Sequence, residues 1–337
     1  MPVLTSGQHI AVLGAGSWGT ALAIHLARAG LKVCLWGNEV EHIERLRQQR
    51  CNQQFLPGVE FPASLAVEPR LEAVLGNAAW VLLAIPSHAF RSFLHENSKL
   101  FTATMPVAWA SKGLEQGSAK LLHEVVNEEL PQCKHLAVVS GPTFAREVAM
   151  NMPTAISVAS RSDEFASLLT EALHSGRFRV YVSDDVIGVE LGGAVKNVLA
   201  IAAGAADGLG FGANARAALI TRGLAEMMRL GDAMGGRRET FMGLAGMGDL
   251  VLTCTDDQSR NRRLGLLLAQ GKSIEEIHQL IGQEIEGVKT AAEVIRLAEK
   301  YHIDMPITRQ VYRVLYQGVS PQNAVQELLS RDSTSEF

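Results

Sequence analysis

Several features that define other classes of protein are scarce in this sequence of 337 residues. Only four cysteines are present, at Cys34, Cys51, Cys133 and Cys254. They have neither CxxC spacing nor companion histidines, which argues against a zinc site or a disulfide framework. A formal net charge of -4 gives no basic excess for a nucleic-acid surface. These shortages favour a protein of the reducing cytoplasm that binds neither metal nor nucleic acid.

Long apolar runs are also missing. The first ten residues, MPVLTSGQHI, lack the basic segment and apolar stretch of a secretory signal, so none is expected. The best candidate for a membrane span, LGGAVKNVLAIAAGAA, is interrupted by Lys196 and Asn197 before it reaches the roughly 20 residues that a bilayer requires. We therefore expect no integral membrane segment. With 47% hydrophobic residues, the chain can fill two ordinary cores.

The sequence changes character near Asp185. Before it, short apolar runs such as IAVLGA, KVCLW, WVLLAIP, LAVVSGP and FRVYVS alternate with helical patterns, which predicts a parallel sheet whose strands are buried on both faces. After it, helical periodicity dominates, and Ser320 followed by Pro321 opens the last helix. We predict a Rossmann-like, doubly wound, mostly parallel α/β domain over 1–185, an all-helical domain over 186–337, and a frayed tail, SRDSTSEF.

The segment IAVLGAGSWGTALA places Gly14, Gly16 and Gly19 between a predicted strand and a predicted helix. This setting predicts a dinucleotide site, in which Gly14 permits the turn, Gly16 admits a pyrophosphate to the backbone and Gly19 allows close packing. The alternative is an ordinary tight turn. No carboxylate precedes Glu39 after the second strand. NADPH is therefore permitted and NADH stays open.

Polar residues also interrupt apolar helical patterns in the second half. Lys196 lies in LGGAVKNVLAIAAG one turn after Gly192 and Gly193, which leave room for a chain segment or a ligand. A buried amine there is suited to proton transfer, whereas a lysine that reaches the surface is the alternative. Asp249, in GLAGMGDLVLT, is either a second site residue or a helix N-cap.

Three further segments are suited to an anionic ligand. SRNRRLG puts Ser259, Arg260 and Asn261 at a predicted helix start, a good arrangement for a phosphate. SKGLE places Lys112 just after a strand, and SGPTFAREV follows another strand with Gly141 and Thr143. Open α/β sheets bind ligands at these strand ends, so we expect a shared cleft.

These motifs, taken in order from Ile10 to about Gly318, closely resemble the bacterial NAD(P)-dependent glycerol-3-phosphate dehydrogenases. The resemblance implies reversible reduction of dihydroxyacetone phosphate to sn-glycerol 3-phosphate with NADH or NADPH, which feeds phospholipid synthesis in the cytoplasm. It also implies a homodimer.

The resemblance assigns roles to individual residues as well. The implied catalytic residue is Lys196, and Lys112 and Asp249 are implied to orient it and the substrate. The implied substrate contacts are Lys112, Gly141, Thr143, Lys196, Asp249, Ser259, Arg260 and Asn261. The implied cofactor contacts are Gly14, Gly16, Ser17, Trp18, Gly19, Asn38, Lys112, Ala145, Arg260 and Glu286. No metal is implied.

One departure from the family pattern is visible, because Asp256 and Asp257 stand where small or neutral residues are more usual. Two carboxylates near a phosphate site weaken binding unless they point away from it. Two other functions also stay open. One is a reductase of a non-phosphorylated keto acid, because arginine binds carboxylates too. The other is a non-catalytic nucleotide sensor, which the fold alone permits.

Overall fold

The structure, a computed structural model, describes residues 7–331. The predicted frayed tail lies outside the described residues from Asp332 onward. The chain divides into two compact units. The first comprises the chain up to Glu115 together with Lys120–Glu190, and the second comprises Gln116–Ala119 together with the chain from Leu191 onward.

The first unit is built on a sheet of eight strands over the described residues. The unit's strands are β1 (His9–Leu13), β2 (Val33–Trp36), β3 (Cys51–Asn52), β4 (Leu56–Glu60), β5 (Leu65–Val67), β6 (Ala78–Leu83), β7 (Val107–Trp109), β8 (Leu136–Ser140), β9 (Thr154–Ser160) and β10 (Phe178–Ser183). The sheet order is β10-β9-β8-β7-β6-β1-β2-β5, and β3 pairs with β4 in a separate antiparallel hairpin. The chain order reverses beside β1, which is the switch point of a doubly wound sheet. The predicted mostly parallel α/β fold is confirmed.

Two details of the sheet differ from the prediction. β9 runs antiparallel to β8, whereas the other neighbouring strands of the large sheet run parallel. β10 is an edge strand that exposes Tyr181 and Val182, so it is not buried on both faces. Its apolar sequence resembled that of a central strand, because β-branched and aromatic residues suit an edge strand as well.

Helices flank the sheet and bury its faces. They are α1 (Ser17–Arg28), α2 (Val40–Gln49), α3 (Leu71–Gly76), α4 (Ser87–Asn97), α5 (Leu122–Glu129), α6 (Ala145–Ala149) and α7 (Asp163–Leu173), with a 3-10 turn at Ser98–Leu100. The main core lies between α1, α7 and the sheet, where Trp80 and Phe165 meet edge to face. Parallel strands need this cover on both sides.

Over its described residues, the regular secondary structure of the second unit is helical, as predicted. Its elements are α8 (Val186–Gly208), whose first residues belong to the first unit, α9 (Gly212–Met234), α10 (Arg238–Met242), a π-helical segment (Leu244–Gly248), α11 (Asp249–Thr255), α12 (Arg260–Ala269), α13 (Ile274–Ile281), α14 (Glu286–Lys300), α15 (Pro306–Tyr316) and α16 (Pro321–Leu329). The predicted cap of α16 is confirmed, because the Ser320 hydroxyl accepts from the Asn323 amide at 3.2 Å.

Helix α8 has the length and apolar composition of a membrane span, despite Lys196 and Asn197. Its most apolar stretch has a mean hydropathy of 1.6, but 89% of that stretch is buried inside the structure. A core helix of a folded domain shows this same combination. The composition of α8 therefore reflects its central place in the core.

A short strap, Gln116–Ala119, belongs to the second unit although the residues on both sides of it belong to the first. The Gly117 amide donates to Glu293 Oε1 at 2.9 Å, and Glu293 is buried. Ala119 is also buried, with φ at 58°. This left-handed conformation is costly for a residue with a Cβ, so the surrounding packing must hold the strap in place.

Helices α8 and α12 cross at glycines. A Cβ added at Gly204 would lie 2.0 Å from the Arg262 carbonyl oxygen, and one added at Gly265 would lie 2.1 Å from the Ile201 oxygen. The two backbones are therefore in direct contact, which only glycine permits. This crossing fixes the position of the first turn of α12 beside α8.

We expect Gly204→Ala to destabilise the protein by about 2 kcal/mol, because the added methyl group must push two backbones apart. Thermal unfolding followed by circular dichroism measures this. Gly76→Ala is the control, since no atom lies within 4 Å of a Cβ added at that helical position. Equal melting temperatures for the two variants would contradict the close crossing.

Candidate active site

The glycine-rich loop lies at the carboxyl end of β1, at the switch point of the sheet. Gly14 has φ at 122°, and a Cβ there would lie 2.4 Å from the Ala84 carbonyl oxygen. A Cβ at Gly19 would lie 1.9 Å from the Gly14 oxygen, whereas one at Gly16 has no atom within 4 Å. Gly14 and Gly19 thus allow the turn and the packing, and Gly16 leaves the loop backbone open to a ligand.

The first turn of α1 has the features of a phosphate site. Its first amides have no partner within the helix, and the helix dipole adds partial positive charge there. Trp18 Nε1 is buried without a hydrogen-bond partner, and Asn38 is exposed beyond β2, the neighbour of β1. Ser17 Oγ is engaged elsewhere, because it donates to the Phe55 oxygen at 2.6 Å. The backbone amides of this turn therefore suit a phosphate, whereas the Ser17 hydroxyl serves the fold.

Lys112, Gly141 and Thr143 meet where the neighbouring strands β7 and β8 end. Lys112 Nζ donates to the Gly141 carbonyl oxygen at 3.1 Å, and Thr143 Oγ1 donates to the same oxygen at 3.1 Å. Ala145 begins α6 directly after this loop. The expected grouping of these four residues at strand ends is therefore present in the first unit.

Lys196 is buried in the second unit and is 6% exposed. Its Nζ donates to Asp249 Oδ1 at 2.5 Å and to Thr253 Oγ1 at 2.8 Å. The alternative in which this lysine reaches the surface is wrong. Because Asp249 is fully buried, its carboxylate needs a cation, and the pair is stable only as long as both members are present.

The local backbone brings these three side chains together. Gly192 lies one turn before Lys196 in α8, and a Cβ there would lie 2.5 Å from the Ala245 carbonyl oxygen of the π-helical segment. That contact places the start of α11, and hence Asp249, against α8. Asp249 is the first residue of α11 and its side chain binds Lys196, so the N-cap alternative is wrong.

The start of α12 is arranged as the sequence predicted. Ser259 is its N-cap, with Oγ accepting from the Arg262 amide at 3.2 Å, and Arg260 and Asn261 are its first two residues. Arg260 is partly exposed, and its Nη1 reaches Gln283 Oε1 at 3.4 Å. A guanidinium together with the backbone amides of a first helical turn suits a phosphate.

Asn261 connects three helices of the second unit. Its Nδ2 donates to Asn197 Oδ1 of α8 at 3.0 Å, and its Oδ1 accepts from the Gly287 amide of α14 at 3.0 Å. Glu286, which precedes Gly287, begins α14. The side chain of Asn261 thus links Asn197, which follows Lys196 in the chain, to Gly287, which follows Glu286.

The two unusual aspartates have local partners. Asp257 accepts from Arg262 Nε at 2.9 Å, and Asp256 Oδ1 accepts from the Gln258 amide at 2.8 Å. Arg262 also pairs with Asp207. The positive charge of Arg262 offsets the negative charge of Asp257, and the Gln258 amide stabilises Asp256 by a hydrogen bond. Both contacts limit the repulsion of a phosphate at the start of α12.

Cys254 supplies no thiolate to this region. Burial raises the pKa of Cys254, next to Thr253, to about 12, so it is a neutral thiol. Among residues 7–331, no three His, Cys, Asp or Glu side chains are grouped to hold a metal ion. The chemically active group available near Lys196 is the amine itself.

A glycine loop at the switch point of a doubly wound sheet, with a buried lysine and carboxylate in a helical unit, defines a dinucleotide-dependent oxidoreductase. Comparison with known proteins gives the family. The model of the NAD-dependent glycerol-3-phosphate dehydrogenase N-terminus matches residues 9–166, and the model of the C-terminus matches residues 185–326. The chain belongs to the NAD-dependent glycerol-3-phosphate dehydrogenase family.

Individual relatives agree over nearly the whole chain. A curated glycerol-3-phosphate dehydrogenase of Thioalkalivibrio sulfidiphilus is 55% identical over 328 residues, which are 97% of this chain and 98% of the relative. The solved structure of the Coxiella burnetii glycerol-3-phosphate dehydrogenase has a TM-score of 0.93 at 53% identity, covering 96% of this chain and 99% of its own. The Saccharomyces cerevisiae enzyme has a TM-score of 0.82 at 28% identity, covering 96% and 99%.

Sequence reasoning missed Thr253 and Asn197 as partners of site residues. Thr253 is four residues after Asp249, and this spacing puts both on one helix face, so a signal was present. Asn197 is noted with Lys196 as a polar interruption of an apolar run, but its partner Asn261 could not be predicted, because that contact depends on the crossing of α8 and α12.

We expect Gly16→Ala to keep the fold and lose cofactor affinity. The added methyl group has open space, so unfolding free energy should change by less than about 1 kcal/mol. The same group obstructs a pyrophosphate at the loop, so binding of NADH and NADPH, measured by nucleotide fluorescence, should weaken by at least about tenfold. Gly14→Ala should lose both stability and binding. Unchanged affinity in Gly16→Ala would refute the assignment of the loop.

Proposed function

We propose that this chain catalyses the reversible reduction of dihydroxyacetone phosphate to sn-glycerol 3-phosphate in the cytoplasm, for glycerophospholipid synthesis. The observation that carries the proposal is the buried Lys196, held by Asp249 and Thr253 in a member of this dehydrogenase family. Bound NADH or NADPH supplies the hydride. Side chains and backbone groups of the chain bind the substrate and transfer the proton.

Lys196 is the proposed general acid. As an ammonium it donates a proton to the alkoxide that develops at the substrate carbonyl oxygen. Asp249 stabilises the ammonium, and together with Thr253 it fixes the direction of the amine. In the oxidative direction Lys196 must be neutral to accept the proton, so oxidation is favoured by alkaline pH.

The substrate phosphate is the proposed ligand of the α12 start. Arg260 and Asn261 bind it, with Ser259 capping the helix that presents them. Lys112 is proposed to contact both substrate and cofactor, and Gly141 and Thr143 to complete the substrate site. Asn261 offers the phosphate the second N–H of its Nδ2, because the first is donated to Asn197 and Oδ1 accepts from Gly287.

Four residues form the rest of the proposed cofactor site. Asn38 is proposed to contact the ribose, and Ala145, Arg260 and Glu286 to make the other contacts.

A homodimer is also proposed, on the family resemblance alone. Size-exclusion chromatography with light scattering tests it, and a monomeric mass at micromolar concentration would refute it.

The reaction is tested by loss of absorbance at 340 nm with dihydroxyacetone phosphate, using NADH and NADPH separately. We expect turnover with the phosphorylated ketone and at least about 100-fold lower kcat/KM with dihydroxyacetone, because Arg260 and Asn261 then have no anion to bind. Turnover of a non-phosphorylated keto acid alone would contradict the proposal, as would cofactor binding with no turnover of any ketone.

We expect Lys196→Ala to lose at least about 1,000-fold in turnover, because no other group gives the alkoxide a proton. The variant should also lose about 3 kcal/mol of stability, because Asp249 is left buried without its cation. The double variant Lys196→Ala with Asp249→Asn should recover part of the melting temperature but no turnover. Lys300→Ala, on the exposed end of α14, is the control. Normal turnover in folded Lys196→Ala would exclude the general-acid role.

A further inference from the structure

The β3–β4 hairpin stands outside the main sheet and contains no residue assigned to the site. Within it, Asn52 is fully buried and uses both ends of its amide. Its Nδ2 donates to the Ala15 carbonyl oxygen at 2.9 Å and to Thr20 Oγ1 at 2.9 Å. Its Oδ1 accepts from the Phe55 amide at 3.2 Å. Asn52 therefore connects the hairpin to the centre of the glycine-rich loop.

A second tie joins the same two segments. Ser17 Oγ donates to the Phe55 carbonyl oxygen at 2.6 Å, and the His42 ring of α2 packs edge to face against Phe55. Burial lowers the pKa of His42, so this ring adds no positive charge beside the loop. The hairpin thus holds the loop on both sides of Gly16.

The bond from Asn52 sets the orientation of one peptide group. In a planar trans peptide, the carbonyl of Ala15 and the N–H of Gly16 point in opposite directions. Asn52 holds the Ala15 carbonyl toward the hairpin, so the Gly16 N–H points away from the hairpin. A Cβ added at Gly16 would have no atom within 4 Å, so the backbone at this residue is open to a ligand on the Cβ side.

The amide of Asn52 is itself oriented before any ligand binds. Because Oδ1 accepts from the Phe55 amide, Nδ2 is the end that faces the loop. A buried amide is costly unless its hydrogen bonds are made, and here both of its ends have partners. Together these bonds fix the direction of the Asn52 amide toward the loop.

We propose that Asn52 is a positioning residue for the dinucleotide site, and that the hairpin preorganises the Gly16 N–H to donate to the cofactor pyrophosphate. This inference rests on the proposed assignment of the glycine-rich loop to the cofactor. It concerns binding, so it is tested without turnover.

The test compares Asn52→Leu with the wild type in direct binding of NADH and NADPH, by nucleotide fluorescence and calorimetry, alongside thermal unfolding. We expect the dissociation constants to rise by about tenfold or more, which is the loss of one hydrogen bond to a charged group. Asn52→Ala also lacks both donors and adds no charge, so it should bind as weakly as Asn52→Leu. It replaces the leucine variant if that variant does not fold.

Thr20→Val is the matched control, because it removes the other acceptor of Asn52 and leaves the bond to Ala15. We expect its melting temperature to fall, as for any lost buried hydrogen bond, while its cofactor affinity stays within about twofold of wild type. Wild-type affinity in both Asn52 variants would overturn the proposal. Equal losses of affinity in Thr20→Val and Asn52→Leu would overturn it too, since they would reveal a merely structural role.

The result of this binding test can be told apart from a failure of the proposed reaction. If the wild type binds NADH but reduces no phosphorylated ketone, the proposed function fails and the Asn52 comparison still stands. If the wild type binds neither nucleotide, the assignment of the loop fails and the Asn52 proposal fails with it.

Discussion

Both parts of the proposed site depend on backbones that approach each other more closely than a side chain allows. In the first unit the helix α1 meets the turn after β1 at Gly19, and in the second unit α8 meets the π-helical segment at Gly192 and α12 at Gly204. Each contact replaces side-chain packing by direct backbone packing. Such contacts fix the positions of the groups at the crossings, because the main chain itself holds them. The first turn of α1 and the pair of Lys196 with Asp249 are placed in this way.

The burial of Lys196 illustrates what such fixed positions permit. A lone ammonium in an apolar helix core loses its hydration, and replacing both members of a buried ion pair by apolar residues is often neutral or stabilising. Here the lysine has a fully buried carboxylate and a hydroxyl as partners. Stability alone does not explain this arrangement, whereas the proposed proton transfer to a substrate does. Under that proposal the ion pair serves the reaction, and the close-packed helices offset its cost.

Most of the architecture could be predicted from the sequence, because its signals are local. The strand at Phe178–Ser183 has the predicted bounds, and the turn chemistry identified the packing roles of Gly14 and Gly19. The antiparallel direction of β9 could not be predicted, since strand direction is set by the path of the chain between strands. The partners of single polar residues, such as Asn52 with Ala15, were beyond prediction for the same reason: they join segments far apart in sequence.

The strap at Gln116–Ala119 has a consequence for synthesis of the chain. Gly117 precedes its partner Glu293 by 176 residues, and at about 5 to 20 residues per second the ribosome needs roughly 10 to 35 seconds to make the intervening segment. During that time the nascent chain carries Gly117 and the strained Ala119 without the helix that anchors them. The second unit is thus begun before the first is complete and is itself finished last, so neither unit can be completed by a contiguous piece of the polypeptide.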